Sequence, residues 1–135
     1  MNHRNRNKTL VRLRRLAVLE TLLLKCWSSE TSSLWSPENP ARGQCDITAI
    51  VINDFFGGKI LKTFIDNQPH FYNHIDGINY DFTASQFQVP PKYLDLLADR
   101  EEIFRSSLKV RQQYQILYHR LKKHLLAKAI LFKVQ

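Results

Sequence analysis

The chain has 135 residues, 44% of them hydrophobic and 24% charged, with a net charge of +8 at neutral pH. That length and balance favour one globular domain around one core. Two cysteines, Cys26 and Cys45, are too few for a secreted disulfide scaffold, and no apolar run reaches the length of a transmembrane helix, so a soluble cytoplasmic protein is expected.

The basic excess lies on the flanks. The first fifteen residues hold Arg4, Arg6, Lys8, Arg12, Arg14 and Arg15 and no acid, and the stretch from Lys109 to Lys133 is also basic. Such flanks read as solvated surface, or as a face for nucleic acid or anionic lipid. The basic, leucine-containing start is not expected to be a secretion signal, because Arg14, Arg15, Glu20 and Lys25 interrupt its apolar run and no small-residue cleavage site follows.

Residues 1–8 read as a disordered basic arm ahead of a single α+β domain over 9–135. From Thr9 to Trp27, Leu10, Leu13, Leu16, Ala17, Val18, Leu22, Leu23 and Cys26 fall at spacings of three and four, which predicts an amphipathic helix with a broad apolar face that includes Cys26. Ser28–Gln44 has no periodicity and is long for a loop; Pro37 and Pro40 stiffen it and Trp35 is its expected anchor. Gln44–Phe56 reads as a buried helix stopped by Gly57-Gly58, with a strand as the competing reading because of its β-branched residues.

Three strands are expected next, at 59–64, 69–75 and 78–82. Asp76-Gly77 between the last two predicts a hairpin that sets His70 and Asp81 on facing strands. Thr83–Pro91 reads as a connector, Tyr93–Ala98 as an acidic helix start, and 101–132 as one long helix or two abutting ones, with Ile103, Phe104, Leu108, Val110, Tyr114, Leu117, Leu121, Leu125 and Ile130 on the apolar face.

Cys45 is expected at the first turn of the second helix, where unpaired N–H groups and the helix dipole favour a thiolate. With His70 as base and Asp81 orienting it, Cys45 becomes a candidate nucleophile for acyl chemistry. Gln44 is a candidate oxyanion donor, with Asn39 and Trp35 placed beside it as substrate-binding residues. Each residue also has a plainer reading: Cys45 as a small core residue, His70 as a strand histidine with His74 an equal competitor, Asp81 as a turn cap with Thr83. Cys45, His70, His74 and Asp81 match no common zinc spacing, and Gly57-Gly58 is no phosphate loop, so no metal or other cofactor is expected.

The runs Trp27-Ser28-Ser29-Glu30-Thr31-Ser32, Trp35-Ser36-Pro37-Glu38-Asn39-Pro40-Ala41-Arg42-Gly43-Gln44-Cys45 and Asp54-Phe55-Phe56-Gly57-Gly58 resemble the YunG-like family of small bacterial proteins. His70-Phe71-Tyr72-Asn73, Asp81-Phe82-Thr83 and Gln86-Phe87 extend the resemblance over nearly the whole chain. The order of cysteine, histidine and aspartate motifs is in turn similar to the transglutaminase-like and papain-like superfamily. That similarity implies a cysteine-bearing helix packed on a small antiparallel sheet, with helices flanking both ends, and favours His70 over His74 as base. It further implies a thiol hydrolase or acyltransferase acting on an amide or thioester of a peptide, protein or small molecule. The alternative is a binding module on the same fold whose basic helices contact an acidic partner or nucleic acid. The basic arm and the tail beyond Tyr118 depart from the family pattern, and the long last helix is a candidate dimer surface.

Overall fold

A computed structural model describes the backbone of residues 3–134 and the side chains of residues 3–128. In chain order the elements are α1 (His3–Cys26), α2 (Cys45–Phe56), β1 (Lys59–Ile65), β2 (Gln68–Ile75), β3 (Ile78–Tyr80), a 3-10 turn (Ala84–Gln86), β4 (Leu96–Ala98), α3 (Arg100–Phe104) and α4 (Val110–Val134). This is an α+β fold. Among the described residues four strands form one antiparallel sheet in the order β3-β2-β1-β4.

Local chemistry sets the two hairpins. Asp66-Asn67 and Asp76-Gly77 are two-residue turns with positive φ throughout, 50° and 65° in the first and 52° and 77° in the second. Such turns match the right-handed twist of their strands and fix the register at Ile65↔Gln68 and Ile75↔Ile78.

Side chains then alternate along β2. Phe71 and Ile75 join the core cluster, and the buried Asn73 Nδ2 donates to the Ala49 carbonyl of α2 at 2.9 Å. These three define an inner face against α2. His70, Tyr72 and His74 point to the outer face, which the 83–95 segment covers in part: Thr63 Oγ1, opposite His70, donates to the Lys92 carbonyl and accepts from Leu94 N–H.

Ile47 through Ile52 of α2 are all buried, which explains why a β-branched run is helical here. Packing between the sheet and α4 on every side outweighs a weak intrinsic propensity. Trp27, at the end of α1, ties in through Nε1–H to Thr48 Oγ1 at 3.0 Å.

Several boundaries differ from the sequence reading. The helix starts at His3, well before Thr9, so residues 3–8, expected as a disordered arm, continue α1 as an exposed extension. Tyr93–Ala98 is no helix start: residues 96–98 pair with Ile60–Lys62 as edge strand β4, and the helix begins only after Asp99, which caps α3 through a reciprocal bond with Glu102. The long C-terminal pattern is two helices, with a break across 105–109. β3 ends at Tyr80, two residues early, so Asp81 follows the strand instead of lying on it. Leu108 of the expected apolar face falls in the 105–109 break and is fully exposed, and Ile130 lies outside the residues whose side chains are described. Among the described residues no helix is long and apolar enough to cross a membrane.

Candidate active site

The early end of β3 creates the site. In an antiparallel ladder that opens on a two-residue turn, every second pair exchanges both hydrogen bonds. Here those pairs are Ile75/Ile78 and Asn73/Tyr80, and the next would be Phe71 with Phe82. The ladder stops at Asn73↔Tyr80 because the chain turns away at Asp81. Phe71 N–H is therefore left pointing out of the strand edge with no carbonyl opposite, and the Cys45 thiol takes that hydrogen bond.

Cys45 reaches this edge because it is the first residue of α2. Gly43 precedes it with φ +73°, and a Cβ there would come within 2.4 Å of Ser32 Oγ, so only glycine lets the Ser28–Gln44 loop fold back this closely. Gln44 takes the N-cap position without a side-chain cap. Its side chain is fully buried, and both amide atoms lack a hydrogen-bond partner. Orphaned buried amides are uncommon and mark strain or an unfilled role.

One residue from that thiol contact, His70 Nε2 lies 2.7 Å from Asp81 Oδ2, with both side chains almost fully buried. An ionised carboxylate only accepts, so Nε2 carries a proton and donates it to Asp81, which in the neutral tautomer leaves the lone pair on Nδ1. Asp81 is held from three sides: Oδ2 also accepts from Tyr93 O–H at 2.7 Å, and Oδ1 accepts from Thr83 N–H and Thr83 Oγ1–H, each at 3.2 Å. Asp81 thus makes its turn contacts through Oδ1 and its imidazole contact through Oδ2. Phe87 closes over the imidazole edge-on, with ring centroids 4.9 Å apart.

The thiol departs from expectation. A helix-start cysteine is expected to ionise easily, yet Cys45 is pushed up to about 12. Burial is the main cause; the neighbouring Asp46 and then Asp81 add to it, while the Phe71 N–H opposes them. Asp46 accepts from Ile47 N–H in the same helical turn, so its charge offsets the dipole that would have favoured a thiolate. Among the described residues no hydrogen bond joins Cys45 Sγ to the His70 ring.

The remaining candidates fall around this centre. Asn39 Nδ2 donates to the Gln86 carbonyl at 3.2 Å, strapping the Ser28–Gln44 loop to the 3-10 turn beside Phe87. Trp35 packs on the same core as Cys45 and leaves its buried Nε1–H without an acceptor. Neither bonds to Cys45, His70 or Asp81. His74, the competing histidine, is taken up elsewhere: Nδ1 lies 2.6 Å from Asn79 Oδ1. Tyr93, Phe87 and the Phe71 N–H escape sequence reasoning, since each depends on where β3 stops and how the 83–95 segment folds back.

A model of the family described as YunG protein matches residues 15–126. The YunG protein of Bacillus subtilis (strain 168) is 45% identical over 104 residues, covering 77% of this chain and 89% of that protein. No solved structure matches the chain. Family match and relative alike span most of the sequence, the cysteine, histidine and aspartate positions included, and the chain belongs to the YunG family.

Proposed function

We propose that this protein is a cysteine-dependent hydrolase or acyltransferase that acts on an amide or thioester. The observation that carries the reading is the buried His70–Asp81 hydrogen bond one residue away from the backbone N–H that holds the Cys45 thiol. The similarity of this cysteine, histidine and aspartate order to transglutaminase-like and papain-like enzymes supports it.

The chemistry runs from a neutral pair. Cys45 Sγ–H gives its proton to His70 Nδ1 as sulfur bonds to the substrate carbonyl carbon, and Asp81 stabilises the imidazolium through Nε2–H. The carbonyl oxygen becomes an oxyanion, for which the unpartnered Gln44 amide is the available donor. The intermediate collapses, the carbon–nitrogen or carbon–sulfur bond breaks, and His70 returns the proton to the leaving amine or thiol. Water or an amine, deprotonated by His70, then releases the acyl group from sulfur. The thiol–imidazole contact closes when substrate binds, as catalytic hydrogen bonds often tighten only in the complex.

The test uses p-nitrophenyl acetate and intact-mass spectrometry. Wild type gains one acetyl group on Cys45, and His70→Ala and Asp81→Asn slow acylation by about 10²–10⁴ while circular dichroism stays native. Equal acylation in folded His70→Ala would overturn the reading and leave the binding-module alternative, in which the exposed Arg4, Arg6, Lys8 and Arg14 of α1 meet an acidic partner.

A further inference from the structure

A cavity of about 240 Å³ opens between α1 and the β3 end of the sheet, with Asp81 in its wall. Glu20 and Arg12 from α1 and Tyr72, Tyr80, Asp81 and Tyr93 from the sheet side line it. We propose that this cavity binds an organic ammonium group, the amine-bearing part of the substrate.

The hydrogen bonds leave two needs unmet. Asp81 is satisfied on both oxygens, and Asp95 Oδ1 accepts from Tyr72 O–H at 2.6 Å and Asn79 Nδ2 at 3.1 Å. Glu20, by contrast, makes no hydrogen bond or ion pair among the described residues. Burial and the nearby Asp81 charge both push its carboxyl up, the mark of an anion without its cation. Tyr80 is 1% exposed and its hydroxyl has no partner either. Glu20 is an acceptor, and the Tyr80 hydroxyl oxygen accepts as well as donates, so both oxygens can take donors; a primary ammonium brings three donors and no acceptor. The ring edge-to-face pair of Tyr72 and Tyr93, 5.0 Å apart, adds aromatic surface suited to a cation.

Two rivals fit less well. Among the described residues no group of three or more His, Cys, Asp or Glu side chains is placed to hold a metal ion. An anion drawn to Arg12 would share the cavity with the Glu20, Asp81 and Asp95 carboxylates, while the Arg12 side chain is exposed and water screens its charge. The inference rests on the hydrolase reading only in calling the ligand a substrate; ammonium binding itself stands without it.

The experiment titrates n-butylammonium chloride into the protein and follows tyrosine ring resonances by NMR, with sodium chloride and n-butanol as controls. Saturable shifts are expected in wild type and equally in Cys45→Ala. Glu20→Gln should weaken binding at least about tenfold, and Tyr80→Phe several-fold if Glu20→Gln fails to fold. No saturation beyond the two controls, or unchanged affinity in both variants, overturns the ammonium site. Saturable binding without acylation of Cys45 supports the cavity and counts against the thiol chemistry alone.

Discussion

Alkylation of Cys45 by iodoacetamide reads the electrostatics of the site directly. Only the thiolate reacts. Moving the thiol from an ordinary 9.0 to about 12 is a change of three pH units. That cuts the thiolate fraction at neutral pH about a thousandfold. Cys45 should therefore react about a thousand times more slowly than free cysteine at neutrality. The rate should climb about tenfold per pH unit, without levelling off, until the alkaline limit of the fold. Peptide mass spectrometry separates it from Cys26, which is buried and pushed up to about 11. Asp46→Asn removes the second cause of the shift, so it should speed the reaction at every pH while keeping the slope. His70→Ala should change the resting rate little, because no proton has yet passed to the imidazole. A rate that levels off below about pH 8 in wild type, and loses that plateau in His70→Ala, would refute the burial argument. It would show instead a thiolate–imidazolium pair already formed at rest.

Three further outcomes follow from the packing and charge. Gly58→Ala places a Cβ 2.0 Å from the His74 carbonyl oxygen at a φ of +80°, so the β1–β2 pairing must shift; the expected loss is about 2–5 kcal/mol, seen as a melting temperature roughly 10 °C lower, and a change under 1 °C would contradict it. Asn73→Ala removes the side-chain bond that pins β2 to α2 and should cost about 1–2 kcal/mol in urea unfolding, with no cost expected only if the strand and helix are held by apolar contact alone. Glu20 has its carboxyl raised in the folded state, so folding favours its protonated form; stability from this group is complete at acid pH and lost as pH rises through the raised value. Glu20→Gln should thus raise the melting temperature at neutral pH, with the gain fading as pH falls through the carboxylate range, and a gain that persists in acid would point to another cause.

What the sequence shows and hides divides along local and distant physics. Asp76-Gly77 announces its hairpin because a two-residue turn needs only its own φ values. The stop of α2 is equally local, at Gly57 with φ +73°. β4 is hidden. Three residues carry no readable period, and Leu96–Ala98 become a strand only because Ile60–Lys62, over thirty positions earlier, offers a free edge. The residue types at Cys45, His70 and Asp81 are legible, as is the pairing of the last two. The thiol's acidity is not, since it depends on how much of α2's first turn the Ser28–Gln44 loop and the sheet bury. Helix position argues for a thiolate; burial and Asp46 argue more strongly against it.

The length of β3 ties these threads together. Had the ladder run on to Phe82, Phe71 N–H would meet a strand carbonyl and the edge would be sealed. Asp81 is what ends it. Its Oδ1 accepts from both Thr83 N–H and Thr83 Oγ1–H, which curls the chain off the sheet. The same turn aims Oδ2 at His70. One carboxylate thus breaks the strand, orients the imidazole and leaves a donor for sulfur. Thr83→Val separates these roles, since it removes the hydroxyl bond and keeps the backbone one. The turn should loosen, and the Phe71 amide should exchange with solvent faster as Cys45 loses its fixed seat. Hydrogen exchange followed by NMR reads this at Phe71. Unchanged protection there, together with unchanged Cys45 alkylation, would mean that the strand end is set by Phe82 packing in the core and not by the Asp81 turn.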